Sequence, residues 1–206
     1  MAKIEQLFVT QLYRAQLSGG GAKRLNAELA EAAMYLARAD AAGRRWCKAN
    51  GYPGYTSYAS LNDVAQRVPA VADLTTVIDG HVAAFAKALD FDLGGRHLEI
   101  DSLWVNVLDP GGHHGAHIHP QSVLSGTYYV SLPEGASTLK IEDPRHAMMM
   151  AAPPRRAKAK IGNRSFVYVA PKPGTLLLWE SWLRHEVPTN KASGKRISIS
   201  FNYRWA

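Results

Sequence analysis

The segment 196-RISISFNYRW-205 decides the fold. Arg196, Ser198, Ser200 and Asn202 fall on one side of an extended chain and Ile197, Ile199 and Phe201 on the other, the two-residue period of a strand with unlike faces. Working backwards along the chain, the same kind of run recurs as TLLLW (175–179), SFVYV (165–169), TLKIE (138–142), LSGTYYVSL (124–132) and HLEIDSLWVNVL (97–108). Each is short, rich in Val, Ile, Tyr, Phe or Trp, and bounded by Gly, Pro, Asn or Asp. That spacing predicts an antiparallel barrel or sandwich. Before residue 97 the period is helical: Leu25, Leu29, Ala32 and Leu36 line one helix face, and Leu74, Val77, Ile78, Val82, Phe85 and Leu89 line another. Between them YPGYTSYAS (52–60) reads as a loop leading to a short helix, with Ser60 placed to cap it and Asp63 three residues on. SGGGAKR (18–24) lacks the spacing of a phosphate-cradling loop and reads as a flexible turn. The expectation is a mostly β protein with flanking helices (α+β), one domain over 1–206, with an N-terminal strand and helices in 1–95 outside a β core at 96–206.

A chain of 206 residues buries roughly 70% of its unfolded surface, so it needs no disulfide or structural metal to fold. Cys47, the single cysteine, excludes a disulfide scaffold and every cysteine-based zinc finger. The segment MAKIEQLFVTQLYRAQL interrupts its apolar residues with charges, unlike the core of a secretion signal, and no apolar stretch is long enough to span a bilayer. A cytoplasmic protein without a membrane partner is expected. The formal charge of +7 calls for an anionic partner, whether nucleic acid, anionic lipid or acidic substrate. Part of that charge lies in PPRRAKAKIGNR (153–164), which has five basic residues and no acid, and reads as a solvated loop or an anion-recruiting surface.

Four of the eight histidines, His113, His114, His117 and His119, fall within seven residues of WVNVLDPGGHHGAHIHP (104–120). In an extended segment His117 and His119 point the same way, about 6.6 Å apart along the strand, so both imidazoles can reach one ion. His185, which follows the apolar run 175–179, is the candidate third ligand, and three nitrogens suit a metal such as zinc. Eleven residues later, Arg196 and Ser198 on one strand face form a fork-plus-hydroxyl receptor for a carboxylate. His113 and His114 read as ordinary loop histidines, Trp179 and Trp182 as core, and Asp143-Pro144-Arg145 as a turn.

Together, Trp104-x-Asn106, HIHP (117–120), SGTYYV (125–130), DPR (143–145), PKPGTLLLW (171–179), SWLRHEV (181–187) and RISISFN (196–202) resemble the 2-oxoglutarate- and Fe(II)-dependent oxygenases, in particular a prolyl-hydroxylase-like bacterial branch. The resemblance implies a double-stranded β-helix, the jelly roll shared with cupins, and a dioxygenase, most simply a hydroxylase, that consumes O2 and releases succinate and CO2. By the same resemblance His117, His119 and His185 hold Fe(II); Arg196, Ser198 and Tyr129 take the far carboxylate of 2-oxoglutarate; Asn106 touches the metal-bound oxygens or pins the HHGAH loop. Asn202 and Arg145 are candidates for contact with the substrate, a small or acidic molecule. His119 stands where the superfamily usually has a carboxylate, which leaves the metal one charge more positive. Two other readings compete: a three-histidine cupin-like enzyme, using Zn or Fe to activate water without 2-oxoglutarate, and a basic nucleic-acid-binding protein, which no recognised motif supports. A buried receptor for a second carboxylate distinguishes the first reading from both.

Overall fold

The computed structural model describes residues 1–206. The chain runs β1 (Tyr13–Gln16), α1 (Gly19–Ala39), α2 (Ala41–Ala49), β2 (Gly54–Thr56), α3 (Val64–Arg67), α4 (Pro69–Ala88), β3 (Leu98–Leu108), β4 (His114–His117), β5 (Leu124–Ser131), β6 (Leu139–Glu142), β7 (Phe166–Val169), β8 (Thr175–Glu180), β9 (His185–Val187) and β10 (Arg196–Trp205). A six-stranded antiparallel sheet has the order β1-β8-β5-β10-β3-β2, and a four-stranded one the order β4-β9-β6-β7. These are the antiparallel sheets expected from the strand runs, in the jelly-roll arrangement that the resemblance implies.

Alternation sorts the major sheet into two faces. Leu103, Val105 and Val107 of β3, Leu124, Tyr128 and Val130 of β5, Leu176 and Leu178 of β8, and Ile197, Ile199, Phe201 and Tyr203 of β10 pack with Leu29, Leu36, Leu74, Ile78, Val82 and Phe85 of α1 and α4. This larger core lies outside the barrel and makes the sheet rigid. A smaller apolar cluster, with Leu108, Tyr129, Leu177, Trp179 and Val187 among its members, fills one end of the space between the sheets.

On the inner face, register stacks polar residues in rungs across β3, β10 and β5: Asn106–Ser198–Tyr129, Trp104–Ser200–Thr127 and Ser102–Asn202–Ser125. A one-residue slip would put all of them into the helix-side core, so the apolar outer face fixes the inner one.

Several local expectations are corrected. Gly19–Gly21 form the first turn of α1 rather than a turn before it, since the helix-side packing of Leu29, Ala33 and Leu36 outweighs the low helix propensity of glycine. Ser60 does not cap α3; its hydroxyl donates to Asp40 at 2.5 Å, alongside Tyr55 at 2.9 Å, and Asp63 occupies the cap position without a side-chain bond. Trp182 is 46% exposed and lies outside the core. No helix is long and apolar enough to cross a membrane.

Candidate active site

The space between the sheets holds a cavity of about 310 Å³, with its inner end at Arg196 and Tyr129 and its mouth at Tyr58 and Trp104. Strand direction gives that order: β10 runs outward from Arg196 through Ser198 and Ser200, β5 runs inward past Thr127 to Tyr129, and β4 leads out toward His119.

His117 pairs with His185 across β4 and β9, and His119 follows two residues on, its amide anchored to the Ser181 carbonyl. One nitrogen of each imidazole lies within 4.8 Å of the others. The Nδ1 of His117 is 2.7 Å from the Gly115 carbonyl and that of His185 is 2.8 Å from the Leu183 carbonyl. Carbonyls only accept, so each Nδ1 carries the proton and leaves the Nε2 lone pair free, as a metal ligand requires. Burial, the largest influence on both, lowers His119 to about 4 and His185 to about 3, so both are neutral donors at pH 7. No Asp or Glu lines the cavity, so the available donor set is three nitrogens, a set that suits Fe(II) as well as Zn.

At the inner end Arg196 is 1% exposed, and none of the chain's ion pairs includes it. Its Nη1 donates to Ser198 at 3.1 Å, its face lies 5.0 Å from the Tyr129 ring centroid, and its Nε has no partner. The Tyr129 hydroxyl and the Trp179 indole N–H are buried and unpartnered as well. Burial pushes the Tyr129 phenol up, so it stays a donor. A guanidinium without a counter-charge, its own Nε and the adjoining Tyr129 hydroxyl both lacking a partner, forms an anion receptor, and a carboxylate fits it.

Asn106 is buried between these two regions; it donates to Ser200 at 3.3 Å and accepts from the Tyr52 hydroxyl at 3.4 Å. Tyr52 in turn lies 2.7 Å from His114 Nε2, so Asn106 is tied to the HHGAH segment through a tyrosine that the strand pattern did not single out. His114 itself is a correction: it is no free loop residue but lies on β4 facing the cavity, where burial first and Arg196 second lower it to about 3. His113 is exposed. Trp179 is buried with its ring edge-on to His185 at 4.7 Å. Two expected substrate contacts lie elsewhere. The Asn202 amide is taken up by Ser125 at 2.8 Å and Ser102 at 3.0 Å and does not line the cavity. Arg145 is exposed and held by two bonds to the Asp143 carboxylate. Both depart from expectation because a local partner satisfies the polar group.

A jelly roll with three converging imidazoles and a buried guanidinium defines a class of metal-dependent, carboxylate-binding barrels. Residues 102–202 match the family model described as "Putative 2OG-Fe(II) oxygenase". That match, over just under half of the chain, makes it similar to the 2-oxoglutarate/Fe(II) oxygenases, oxidoreductases that use Fe(II) and 2-oxoglutarate. Among solved structures, a Pseudomonas putida prolyl-4-hydroxylase is similar at TM-score 0.53 and 16% identity, over 95% of this chain and 92% of that one. A Trichoplax adhaerens prolyl hydroxylase, in complex with a hypoxia inducible factor peptide fragment, is similar at TM-score 0.60 and 15% identity, over 94% and 83%. EctD from S. alaskensis gives 0.60 and 17%, over 95% and 73%. At such identities the likeness concerns the double-stranded β-helix fold. No curated protein sequence matches the chain.

Proposed function

We propose that the cavity couples oxidation of an organic substrate, most simply its hydroxylation, to conversion of 2-oxoglutarate and O2 into succinate and CO2: one oxygen atom enters the substrate and the other enters succinate. His117, His119 and His185 would hold the metal, with the Nδ1 proton of His117 fixed by Gly115 and that of His185 by Leu183. Bound Fe(II) supplies the redox chemistry. Arg196, Ser198 and Tyr129 would receive the far carboxylate of 2-oxoglutarate, which gives the buried guanidinium its counter-charge and the Tyr129 hydroxyl its acceptor. Asn106, held between Ser200 and Tyr52, presents its amide beside the space left for the reacting end of the co-substrate. Trp179, Leu139 and Val187 wall the inner end against water.

The observation that carries this reading is the unpaired Arg196. Burying a cation without an anion is strongly unfavourable, and an enzyme that only activates water on a metal has no use for one there. The test is calorimetric titration of 2-oxoglutarate into metal-loaded protein. Two charge-assisted hydrogen bonds contribute about 1.5 to 3 kcal/mol each, so Arg196→Ala should abolish measurable binding while keeping the metal. Arg196→Lys should be intermediate, retaining charge but not the planar fork. Equal affinity in wild type and Arg196→Ala would favour the three-histidine enzyme that does not use 2-oxoglutarate.

A further inference from the structure

Two features flank the histidine cluster on opposite sheets, and the chemistry above uses neither. On the minor sheet, β6 lies beside β9 with Ile141 opposite His185, and its last residue, Glu142, bonds the Arg184 carbonyl at 3.0 Å. The chain therefore leaves β6 at the cavity mouth. It returns at Ser165, whose carbonyl accepts from the Asp143 amide at 2.8 Å. From Pro144 to Trp179 there is no Asp or Glu. Arg155, Arg156, Lys158 and Lys160 are exposed and none pairs with a carboxylate. The acids at this edge are already partnered: Glu142 by Arg184, Asp143 by Arg145, Glu186 by Lys140. The charge left free on the segment between β6 and β7 is positive.

On the major sheet the mouth is aromatic. Tyr58, 61% exposed, meets Trp104 edge-on at 5.2 Å, and Trp104 lies 6.0 Å from the His119 ring. Trp46 adds a third ring to the lining, while Thr127 and Ser200 offer hydroxyls just inside. Trp46 and Tyr58 come from residues that the family model does not match, so this wall is supplied by the chain's own N-terminal part.

We propose that the substrate is single-stranded nucleic acid, its phosphates gathered by the 155–160 segment and a base set against Tyr58 and Trp104 at the cavity mouth. Guanidinium and ammonium groups without acids recruit a phosphate backbone, and flat rings accept any base face. An acidic peptide would answer the charge but leave the aromatic wall unused. A cationic substrate would find no carboxylate in the cavity lining. The proposal rests on the oxygenase reading for what happens in the cavity, but its binding step is tested separately.

The experiment is fluorescence anisotropy of a labelled oligothymidylate of about 12 nucleotides, a typical span for such sites, against metal-loaded full-length protein over a range of salt concentrations. A polyglutamate of equal charge is the competitor, and 2-oxoglutarate affinity is measured on the same samples. Wild type should bind the oligonucleotide with a steep salt dependence. Replacing Arg155, Arg156, Lys158 and Lys160 together with Gln should flatten the slope of log K against log salt by about 3, from roughly 0.7 per phosphate contact. Tyr58→Ala should weaken binding roughly tenfold or more through lost stacking, with 2-oxoglutarate affinity unchanged in both variants. No oligonucleotide binding, a slope indifferent to the four basic residues, insensitivity to Tyr58→Ala, or equal competition by polyglutamate would each overturn the proposal. A wild type that binds oligonucleotide but not 2-oxoglutarate would instead overturn the oxygenase reading.

Discussion

In the proposed function, the chemistry at the scale of single residues turns on Arg196 and His119. Arg196 is a buried charge without a counter-charge in the chain, and His119 is an imidazole where the resemblance implies a carboxylate. The cavity has no acid, and its fourth imidazole, His114, is engaged by Tyr52, so a lost ligand has no ready replacement. His119→Ala should therefore lower bound iron by orders of magnitude, whereas His113→Ala, at an exposed position, should leave it unchanged; metal content after dialysis decides, and the reverse pattern would refute the ligand assignment. At this scale the sequence was legible where two residues on one short segment act together. His117-x-His119 and Arg196-x-Ser198 reveal themselves by spacing. His114 and Tyr52 did not, because they are 62 residues apart and only tertiary packing brings the hydroxyl to the ring. Asn202 was misleading for the complementary reason: its strand face is as expected, but Ser102 and Ser125 on the neighbouring strands consume its amide.

At the scale of elements, the site is positioned by packing on the other side of the sheet. Ile78 of α4 is fully buried in the helix-side core, so Ile78→Ala should cost about 2 to 5 kcal/mol of stability by denaturant unfolding. Gly126 of β5 leaves no room for a side chain: an added Cβ would lie 2.5 Å from the Phe201 ring and 2.7 Å from Leu178. Gly126→Ala should destabilise by roughly 1 to 3 kcal/mol through overpacking, read as a lower midpoint in the same unfolding experiment. The long strands were legible because seven or more alternating residues fix a period. The strands bearing the metal-ligand candidates were not. β4 and β9 have four and three residues, and HGAH and HEV carry little strand propensity, so neighbouring strands rather than local sequence extend them. The glycine run at 19–21 is helical against its local propensity for a similar reason, since helix propensity is a weak prior beside a buried face.

Across the whole molecule, a rigid outer core, a polar inner face and a basic edge are separable. Replacing Arg155, Arg156, Lys158 and Lys160 with Gln should shift the melting temperature by no more than about 2 °C, because exposed side chains without partners contribute little to folding. A larger drop would mean that the segment is packed. The central claim is that one cavity holds both iron and 2-oxoglutarate, and the most direct measurement is anaerobic addition of Fe(II) and then 2-oxoglutarate while recording the visible spectrum. A metal-to-ligand charge-transfer band should appear only when both are present and be absent in Arg196→Ala. Iron binding without that band in the wild-type protein, or an equal band in Arg196→Ala, would contradict the claim.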